Sequence, residues 1–214
     1  MSNILPDADP GSQNSIEWLM ERCGKVTASR FRDVLDYTKA GKPGAGRVKY
    51  LWEIVVERLT GNPTVHYVNA AMERGTELEP MARMAYEAAT GALVDQTGFL
   101  NSQAVPMCGG SPDGLIGAHG GLEIKCPGSA VHLATWLDGM PEEHIPQVQG
   151  LMWLTGRDWW DFCSYDDRMP DDLQLYVQRV PYDPEYCAKL HAQIEIFQAE
   201  AIALLDRITK RKAA

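Results

Sequence analysis

The sequence contains no long hydrophobic run, which argues against a membrane-spanning protein. None of its apolar stretches approaches the roughly 18 residues that a bilayer-spanning helix needs. The N-terminus also lacks the basic flank and apolar segment of a secretory signal. We therefore expect a protein that makes no use of membranes and stays in the cytoplasm where it is made.

Cysteine is scarce and unpaired in the sequence. The five cysteines are an odd number, and no two of them form a Cys-x-x-Cys pair. This pattern argues against a disulfide framework and against a zinc site, and it fits a reducing compartment.

Net positive charge is also missing, although proteins that bind nucleic acids are usually basic. The formal net charge is -9 at pH 7. The total decides little, because binding depends on where positive charges cluster. One cluster is present, at Lys39, Lys42, Arg47 and Lys49, and glycines and Pro43 lie between its members. By itself such a cluster is more often a solvated loop than a binding surface.

The length of 214 residues indicates one domain with a substantial core. Residues 1–14 are polar and predict a flexible N-terminal arm, so residues 15–214 form the single folded domain. Periodicity predicts helices at 15–21, 27–35, 48–59, 76–90, 131–137, 144–154 and from 184 onward. Strands are predicted at 93–100, 106–109, 121–125, 159–165 and 173–180.

These elements predict an α/β (α+β) fold in which helices flank a central mixed sheet. Within the helix predicted at 76–90, we expect Pro80 to lie in the first turn, since proline is poorly tolerated deeper inside a helix. Gly91 is expected to end that helix.

The residues with the clearest chemistry are Asp113, in a Ser-Pro-Asp-Gly turn, and the pair Glu123 and Lys125 on a predicted strand. Strand side chains alternate, so Glu123 and Lys125 point to the same face. Two converging carboxylates suit a hard cation such as Mg²⁺, and an adjacent ammonium can orient or deprotonate a water. The alternative for each residue is a structural one: a surface Asp-Gly turn and an exposed cross-face pair.

The order of several motifs resembles the phage lambda exonuclease (YqaJ-like viral recombinase) family, within the PD-(D/E)xK nuclease superfamily. The resemblance covers about residues 17 to 190. Its most informative motifs are the Ser-Pro-Asp-Gly turn and the Glu-x-Lys strand. The further matching segments are Trp18 to Gly24, residues 26–29, Arg74 to Glu79, Gln147 to Gln149, and Trp159 to Asp166.

This resemblance implies a Mg²⁺-dependent exonuclease that degrades the 5′-ended strand of duplex DNA in the 5′–3′ direction. Such an enzyme releases mononucleotides and leaves a 3′ overhang for a phage single-strand annealing protein. The resemblance also implies a homotrimeric ring around DNA ends, two Mg²⁺ ions for which Mn²⁺ can substitute, and a phage or prophage protein in the bacterial cytoplasm. The fold that it implies is the PD-(D/E)xK nuclease core.

The resemblance also assigns roles in the reaction. Asp113, Glu123 and the Ile124 carbonyl are implied metal ligands, Glu79 completes a second metal position, and Lys125 holds or activates the attacking water. Gln149 matches a glutamine near the active site, although an ordinary glutamine at the edge of the core fits its position equally well.

A pocket for the 5′-phosphate is implied at Arg22, Ser29 and Ser111. The family pattern has an arginine six residues after the motif lysine, where this sequence has Val131. The candidate replacements are the neighbouring His132 and Ser129. Met72 matches an apolar wedge between the DNA strands, although packing in the core is an equally good account of it.

Two other activities remain open at this point. One is a non-catalytic subunit that binds or loads DNA ends, and the other is an endonuclease of the same superfamily. The presence of Asp113, Glu123 and Lys125 together favours a catalytic protein, while the segment with Arg22 and Ser29 favours an exonuclease. A structural metal module is disfavoured because the candidate ligands are oxygen donors.

Overall fold

The computed structural model describes residues 15–64 and 69–213, so the predicted arm at residues 1–14 lies outside the described residues. The fold is mixed α/β, as the sequence predicts. None of the helices in the described residues combines the length and hydrophobicity that a membrane span requires. The chain divides into two compact units. The first unit comprises the described parts of Met1–Val65 with Gly98–Ser111 and Asp183–Ala214, and the second comprises the described parts of His66–Thr97 with Pro112–Tyr182.

The described residues form seven α-helices and seven strands, together with short 3-10 turns. The helices are α1 (Ile16–Arg22), α2 (Phe31–Val34), α3 (Ala45–Thr60), α4 (Ala70–Thr90), α5 (Ser129–Asp138), α6 (Ile145–Thr155) and α7 (Pro184–Ala213). The strands are β1 (Val26–Thr27), β2 (Leu100–Asn101), β3 (Cys108–Gly110), β4 (Gly114–Ile116), β5 (Gly120–Lys125), β6 (Trp159–Tyr165) and β7 (Leu175–Pro181).

The first unit packs α3 against the long helix α7 beside a three-stranded sheet of order β1-β3-β2. Strand β3 pairs in parallel with β1 and antiparallel with β2. The centre of the helix packing is a stacked pair of rings, Tyr50 and Phe197, whose centroids are 5.3 Å apart. Both side chains are buried, so their apolar area stabilises the contact between the two helices.

The second unit is built on a four-stranded sheet of order β4-β5-β6-β7. Strands β5 and β6 run parallel at its centre, while the β4–β5 and β6–β7 pairs are antiparallel. Helix α4 packs its apolar face, including Leu78 and Tyr86, with Leu122 and Ile124 of β5 in one core cluster. The close pairing of β5 with β6 requires glycine at position 121, because a Cβ there would lie 2.2 Å from the ring of Trp160.

Helix α4 starts earlier than the sequence analysis predicts. Asn69 caps it by accepting a hydrogen bond from the Met72 N–H at 3.0 Å, so the helix already begins at Ala70. Pro80 therefore lies inside the helix, and its expected place in the first turn is wrong. The proline is exposed, so water can serve the carbonyl group that loses its helical hydrogen bond.

Two other local predictions also fail. Most of the strand predicted at 93–100 is irregular, and only a bridge between Asp95 and Leu115 and the short strand β2 are formed. The helix predicted at 27–35 is divided into a short strand, a 3-10 turn and α2. Both segments carry suitable residues, but strand and helix length depend on the partners that the fold provides. The helices ending at Thr60 and Thr90 stop at left-handed glycines, Gly61 and Gly91, and the stop at Gly91 is the one predicted above.

A buried ionic network connects α4, β6 and β7 in the second unit. Asp161 on β6 is 2% exposed, and its carboxylate accepts a hydrogen bond of 2.6 Å from the Tyr86 hydroxyl. The Arg179 guanidinium donates to both oxygens of Asp161 at 2.9 Å and lies over the ring of Trp159. These contacts satisfy the buried carboxylate and tie α4, β6 and β7 together.

We expect Tyr86→Phe to lower the free energy of unfolding by about 1.5–3 kcal/mol, because it removes a buried hydrogen bond to a charged acceptor. Urea denaturation measures the change. Tyr37→Phe is the matched control, since its hydroxyl makes an exposed hydrogen bond to Gln193 and its loss is expected to cost less. Equal losses in the two variants would show that burial adds nothing to the Tyr86–Asp161 contact.

Candidate active site

Strand β5 presents Glu123 and Lys125 on one face, as strand alternation requires. The Glu123 side chain is completely buried, whereas Lys125 is half-buried. The Lys125 Nζ contacts Oε1 of Glu123 directly. The pair is therefore not an exposed cross-face pair, because Glu123 has no access to solvent.

Helix α6 adds a second donor to the same carboxylate oxygen. The Gln147 amide donates a hydrogen bond of 2.6 Å from Nε2 to Oε1 of Glu123. The other oxygen of Glu123, Oε2, is buried and has no hydrogen-bond partner among the described residues. One oxygen is thus held by two donors, and the other is left with unused capacity to accept or coordinate.

Asp113 lies in the turn that leads into β4. Its Oδ2 accepts a hydrogen bond of 2.7 Å from the backbone N–H of Ile124, which fixes the turn to β5. Gly114, the next residue, is needed for packing, because a Cβ there would lie 2.1 Å from Cγ1 of Val94. This turn therefore places the Asp113 carboxylate beside the backbone of the strand that carries Glu123.

Glu79 reaches the same group of charges from helix α4. Burial and the Asp113 carboxylate raise the pKa of Glu79 to about 7, against the opposing effects of Arg83 and Lys125. Burial and Asp113 also raise the pKa of Glu123 to about 8, despite the contact with Lys125. The structure thus brings Glu79, Asp113, Glu123 and Lys125 within electrostatic reach of one another.

Lys125 responds in the opposite direction. Burial lowers its pKa, but Glu123 and Asp113 outweigh burial and raise the pKa to about 12. Its ammonium is therefore a hydrogen-bond donor at neutral pH in this arrangement.

The carboxylates suit a hard divalent cation, although they do not enclose one as they stand. Within residues 15–64 and 69–213, no three Asp, Glu, His or Cys side chains come together closely enough to hold a metal ion. The donor set is nevertheless made of oxygen ligands, which Mg²⁺ prefers. The unused Oε2 of Glu123 and the mutual repulsion of the acids are what a cation would satisfy. The chemistry of this donor set therefore fits a divalent cation.

The first unit contains a separate cluster of hydroxyl groups around Arg22. Its guanidinium donates to Ser111 Oγ at 3.3 Å and to Ser29 Oγ at 3.1 Å. The Trp18 indole N–H donates to the same Ser111 oxygen at 2.9 Å. The Arg22 guanidinium lies over the Trp18 ring, 4.1 Å from its centroid. The structure therefore brings the three residues of the predicted phosphate pocket together.

The charge of Arg22 is poorly compensated. Among the described residues its guanidinium hydrogen-bonds only to the hydroxyls of Ser111, Thr27 and Ser29. Burial lowers the pKa of Arg22 to about 10, because charge is unfavourable away from water. A partly desolvated cation whose hydrogen-bond acceptors are uncharged hydroxyls is suited to an anion.

His132 does not support the predicted role in phosphate binding. The side chain is completely buried in the second unit, with Nδ1 2.7 Å from Ser164 Oγ and Nε2 2.8 Å from the Leu173 carbonyl. Both ring nitrogens are occupied, so no donor is left for a phosphate. Its helix neighbour Val131 is exposed and apolar, and it supplies no charge either.

The structure also separates the two glutamines of helix α6. Gln149 is buried, and its Nε2 donates to the Pro181 carbonyl at 2.9 Å. Two positions apart on a helix are about 200° apart around its axis, so Gln147 and Gln149 cannot both face Glu123. Gln147 is the residue that the sequence analysis missed, and the contact with Glu123 identifies it.

Two further predictions concern Met72 and the basic cluster at residues 39–49. Met72 is 51% exposed in the first turn of α4, so it is not part of the core. Arg47 is only 1% exposed and pairs with Glu200 at 3.1 Å, which removes it from the predicted basic cluster. The exposed cations of that segment are Lys39, Lys42 and Lys49.

Comparison with known proteins places these observations in a family. Alkaline exonuclease LHK-Exo from Laribacter hongkongensis is 43% identical, with a TM-score of 0.85 over 92% of this chain and 97% of that chain. A second structure of that enzyme, in complex with dAMP, has the same identity and coverage and a TM-score of 0.86. A phage-related exonuclease from Haemophilus somnus 129PT shares the fold at 17% identity, with a TM-score of 0.67 over 86% of this chain and 96% of that chain.

A comparison with curated proteins gave no match. A family model, by contrast, matches most of the chain: residues 17–158 correspond to the YqaJ-like viral recombinase domain. The matched region includes the turn with Asp113, the strand with Glu123 and Lys125, and the segment with Arg22. The chain therefore belongs to the YqaJ-like viral recombinase family.

Proposed function

We propose that this protein is a Mg²⁺-dependent exonuclease that degrades the 5′-ended strand of duplex DNA and leaves a 3′ overhang for strand annealing. The observation that carries the proposal is the buried Glu123 carboxylate, held at one oxygen by Lys125 and Gln147 and surrounded by the charges of Asp113 and Glu79. A protein that only binds DNA ends has no need to keep this costly arrangement of buried acids.

The related enzyme supports both the reaction class and the product. LHK-Exo is an alkaline exonuclease, and one of its structures contains dAMP. A deoxynucleoside monophosphate is the product expected when an exonuclease removes one nucleotide at a time. At 43% identity over nearly the whole chain, the same chemistry is the simplest proposal for this protein.

The proposed mechanism assigns separate tasks to the residues of the second unit. Asp113, Glu123, the Ile124 carbonyl and Glu79 would hold two divalent ions, with Mn²⁺ able to replace Mg²⁺. Bound there, the ions would supply Lewis-acid stabilisation of the phosphate charge and a more acidic water. Lys125 would hold the attacking water by a hydrogen bond, and Gln147 would keep Glu123 in the orientation that ligation needs.

The Arg22 cluster is proposed to bind the 5′-phosphate of the DNA end. A guanidinium offers a planar fork of donors to phosphate oxygens, and the hydroxyls of Ser29 and Ser111 extend the same surface. The exposed Met72 is proposed to act as an apolar wedge between the strands.

The proposal extends to the assembly of the protein. The net charge of -9 opposes binding of DNA by bulk attraction, so we propose a ring-shaped homotrimer that gathers local positive charge around the duplex. Light scattering tests this proposal directly. A single-strand annealing protein is proposed to receive the 3′ overhang, and the bacterial cytoplasm is the proposed location of the reaction.

We expect the purified protein with Mg²⁺ to degrade linear duplex DNA from its 5′ ends and to leave closed circular duplex intact. End-labelled substrates resolved on a denaturing gel distinguish mononucleotide release from internal cutting and show the direction of digestion. Efficient cleavage of the closed circle would replace the exonuclease with an endonuclease. Binding to DNA ends without any cleavage would favour a loading subunit.

We expect Lys125→Ala to lower the rate of cleavage by about 10²–10⁴-fold, since the group that holds the attacking water is lost. Binding to DNA ends, measured by gel shift with Ca²⁺ in place of Mg²⁺, is expected to change little. Lys210→Ala, which removes an exposed lysine from α7, serves as the control for the charge change. A Lys125→Ala enzyme that retains more than about a tenth of the wild-type rate would rule out this role.

We expect a 5′-hydroxyl end to be degraded at least about tenfold more slowly than a 5′-phosphorylated end, because charge-assisted contacts contribute about 1.5–3 kcal/mol each. Arg22→Ala is expected to remove most of this difference, whereas Arg207→Ala, at an exposed position of α7, is expected to keep it. The measurement is the initial rate on the two matched duplexes. If Arg22→Ala retains the full preference, Arg22 has only a structural role.

A further inference from the structure

Helix α4 carries an arginine, Arg83, that contacts Glu79 of the proposed active site. The Arg83 side chain is only 12% exposed, and its Nη2 lies 2.6 Å from Oε1 of Glu79. The two residues are four positions apart, so they are neighbours on the helix surface. The other oxygen of Glu79 makes no hydrogen bond in the part of the chain that the structure describes. Arg83 thus restrains one oxygen and leaves the other available.

Gln96 provides a second partner for the Arg83 guanidinium. When the Gln96 amide is oriented with its oxygen toward Arg83, as its surroundings require, that oxygen accepts from Nη1 at 2.7 Å and from Nη2 at 3.1 Å. The segment that carries Gln96 is tied back to α4, because the Val94 N–H donates to Oε1 of Glu87 at 2.9 Å. The guanidinium is therefore hydrogen-bonded to both Glu79 and Gln96, and all three residues belong to the second unit.

Stability alone does not explain a buried arginine at this position. Its Nε is buried and has no hydrogen-bond partner among the described residues. A buried donor without a partner is destabilising, and replacement of a buried ion pair by apolar side chains is often neutral or stabilising. The arginine contributes something that an apolar residue would not, namely a fixed direction for the Glu79 carboxylate.

We propose that Arg83 is a positioning residue, which holds one oxygen of Glu79 so that the other faces a divalent cation, and that Gln96 orients Arg83 for this task. The inference rests on the proposed function, because Glu79 is a metal ligand there. Partners of this kind typically change metal affinity or activity by about 10–100-fold when they are removed.

The test is direct titration with Mn²⁺ in the absence of DNA, with free Mn²⁺ followed by electron paramagnetic resonance. Glu79 is proposed to complete the second of the two metal sites. We expect Arg83→Met to raise the Mn²⁺ concentration that half-fills this site by at least about tenfold. Arg83→Lys keeps the charge but not the fork, so it should lose less. Gln96→Ala should produce a smaller change in the same direction as Arg83→Met. Met84→Ala and Lys210→Met, at exposed positions, should bind Mn²⁺ like the wild type.

A double-mutant cycle separates positioning from general structural damage. If Arg83 acts through Glu79, Arg83→Met should cause no further loss of Mn²⁺ affinity in a Glu79→Gln background. The metal-free Arg83→Met protein should still unfold in a single cooperative transition, so that its Mn²⁺ affinity is measured on a folded protein. Equal losses of affinity in the two backgrounds would overturn the inference.

The outcomes also separate this inference from the proposed function. If the wild type degrades linear DNA but Arg83→Met binds Mn²⁺ as the wild type does, only the positioning role is wrong. Suppose instead that the wild type degrades no DNA, but Arg83→Met weakens Mn²⁺ binding only when Glu79 is present. The proposed exonuclease activity is then wrong, and the positioning role of Arg83 stands. A wild-type protein that binds no Mn²⁺ would overturn both.

Discussion

The Glu123 carboxylate sits in the interior of the second unit, and much of the surrounding structure is needed to keep it there. Strand β5 is paired on both sides, with β4 and with β6, so its backbone cannot move to expose the side chain. Burial of a charged carboxylate costs several kcal/mol unless donors surround it. Lys125 supplies one donor from the same strand, and Gln147 supplies another from α6. The pairing of β5 and the position of α6 therefore serve the same requirement, which is to surround the buried Glu123 carboxylate with hydrogen-bond donors.

The parts of this arrangement that follow from local geometry were accessible from the sequence. Strand alternation alone places Glu123 and Lys125 on one face, and the aromatic run at residues 159–165 has the composition of a buried strand. The end of α4 at Gly91 likewise depends on one residue and its neighbours. Predictions succeeded where the deciding contacts lie within a few residues along the chain.

Contacts made across the fold were less accessible. Gln147 and Gln149 have identical side chains two positions apart, and only the packing of α6 decides which one meets Glu123. His132 looks like a free basic residue in the sequence, but β6 supplies a serine that occupies one of its ring nitrogens. Pro80 is tolerated inside α4 because that part of the helix is exposed. The glutamine and histidine misses concern partners that are distant in the sequence, whereas the early start of α4 was missed although its cap, Asn69, is local.

The pairing of Tyr50 with Phe197 has a consequence for the order in which the chain acquires its structure. The first unit is assembled from segments at both ends of the sequence, whereas the second unit lies almost entirely between them. During synthesis, α3 leaves the ribosome long before α7 is made. The apolar face of α3 therefore stays unpacked until α7 is available. The second unit, with its more local pairings, can complete its sheet first. The unit that carries the proposed catalytic acids is thus free to form during translation, and the unit that carries Arg22 is completed only when α7 has been made.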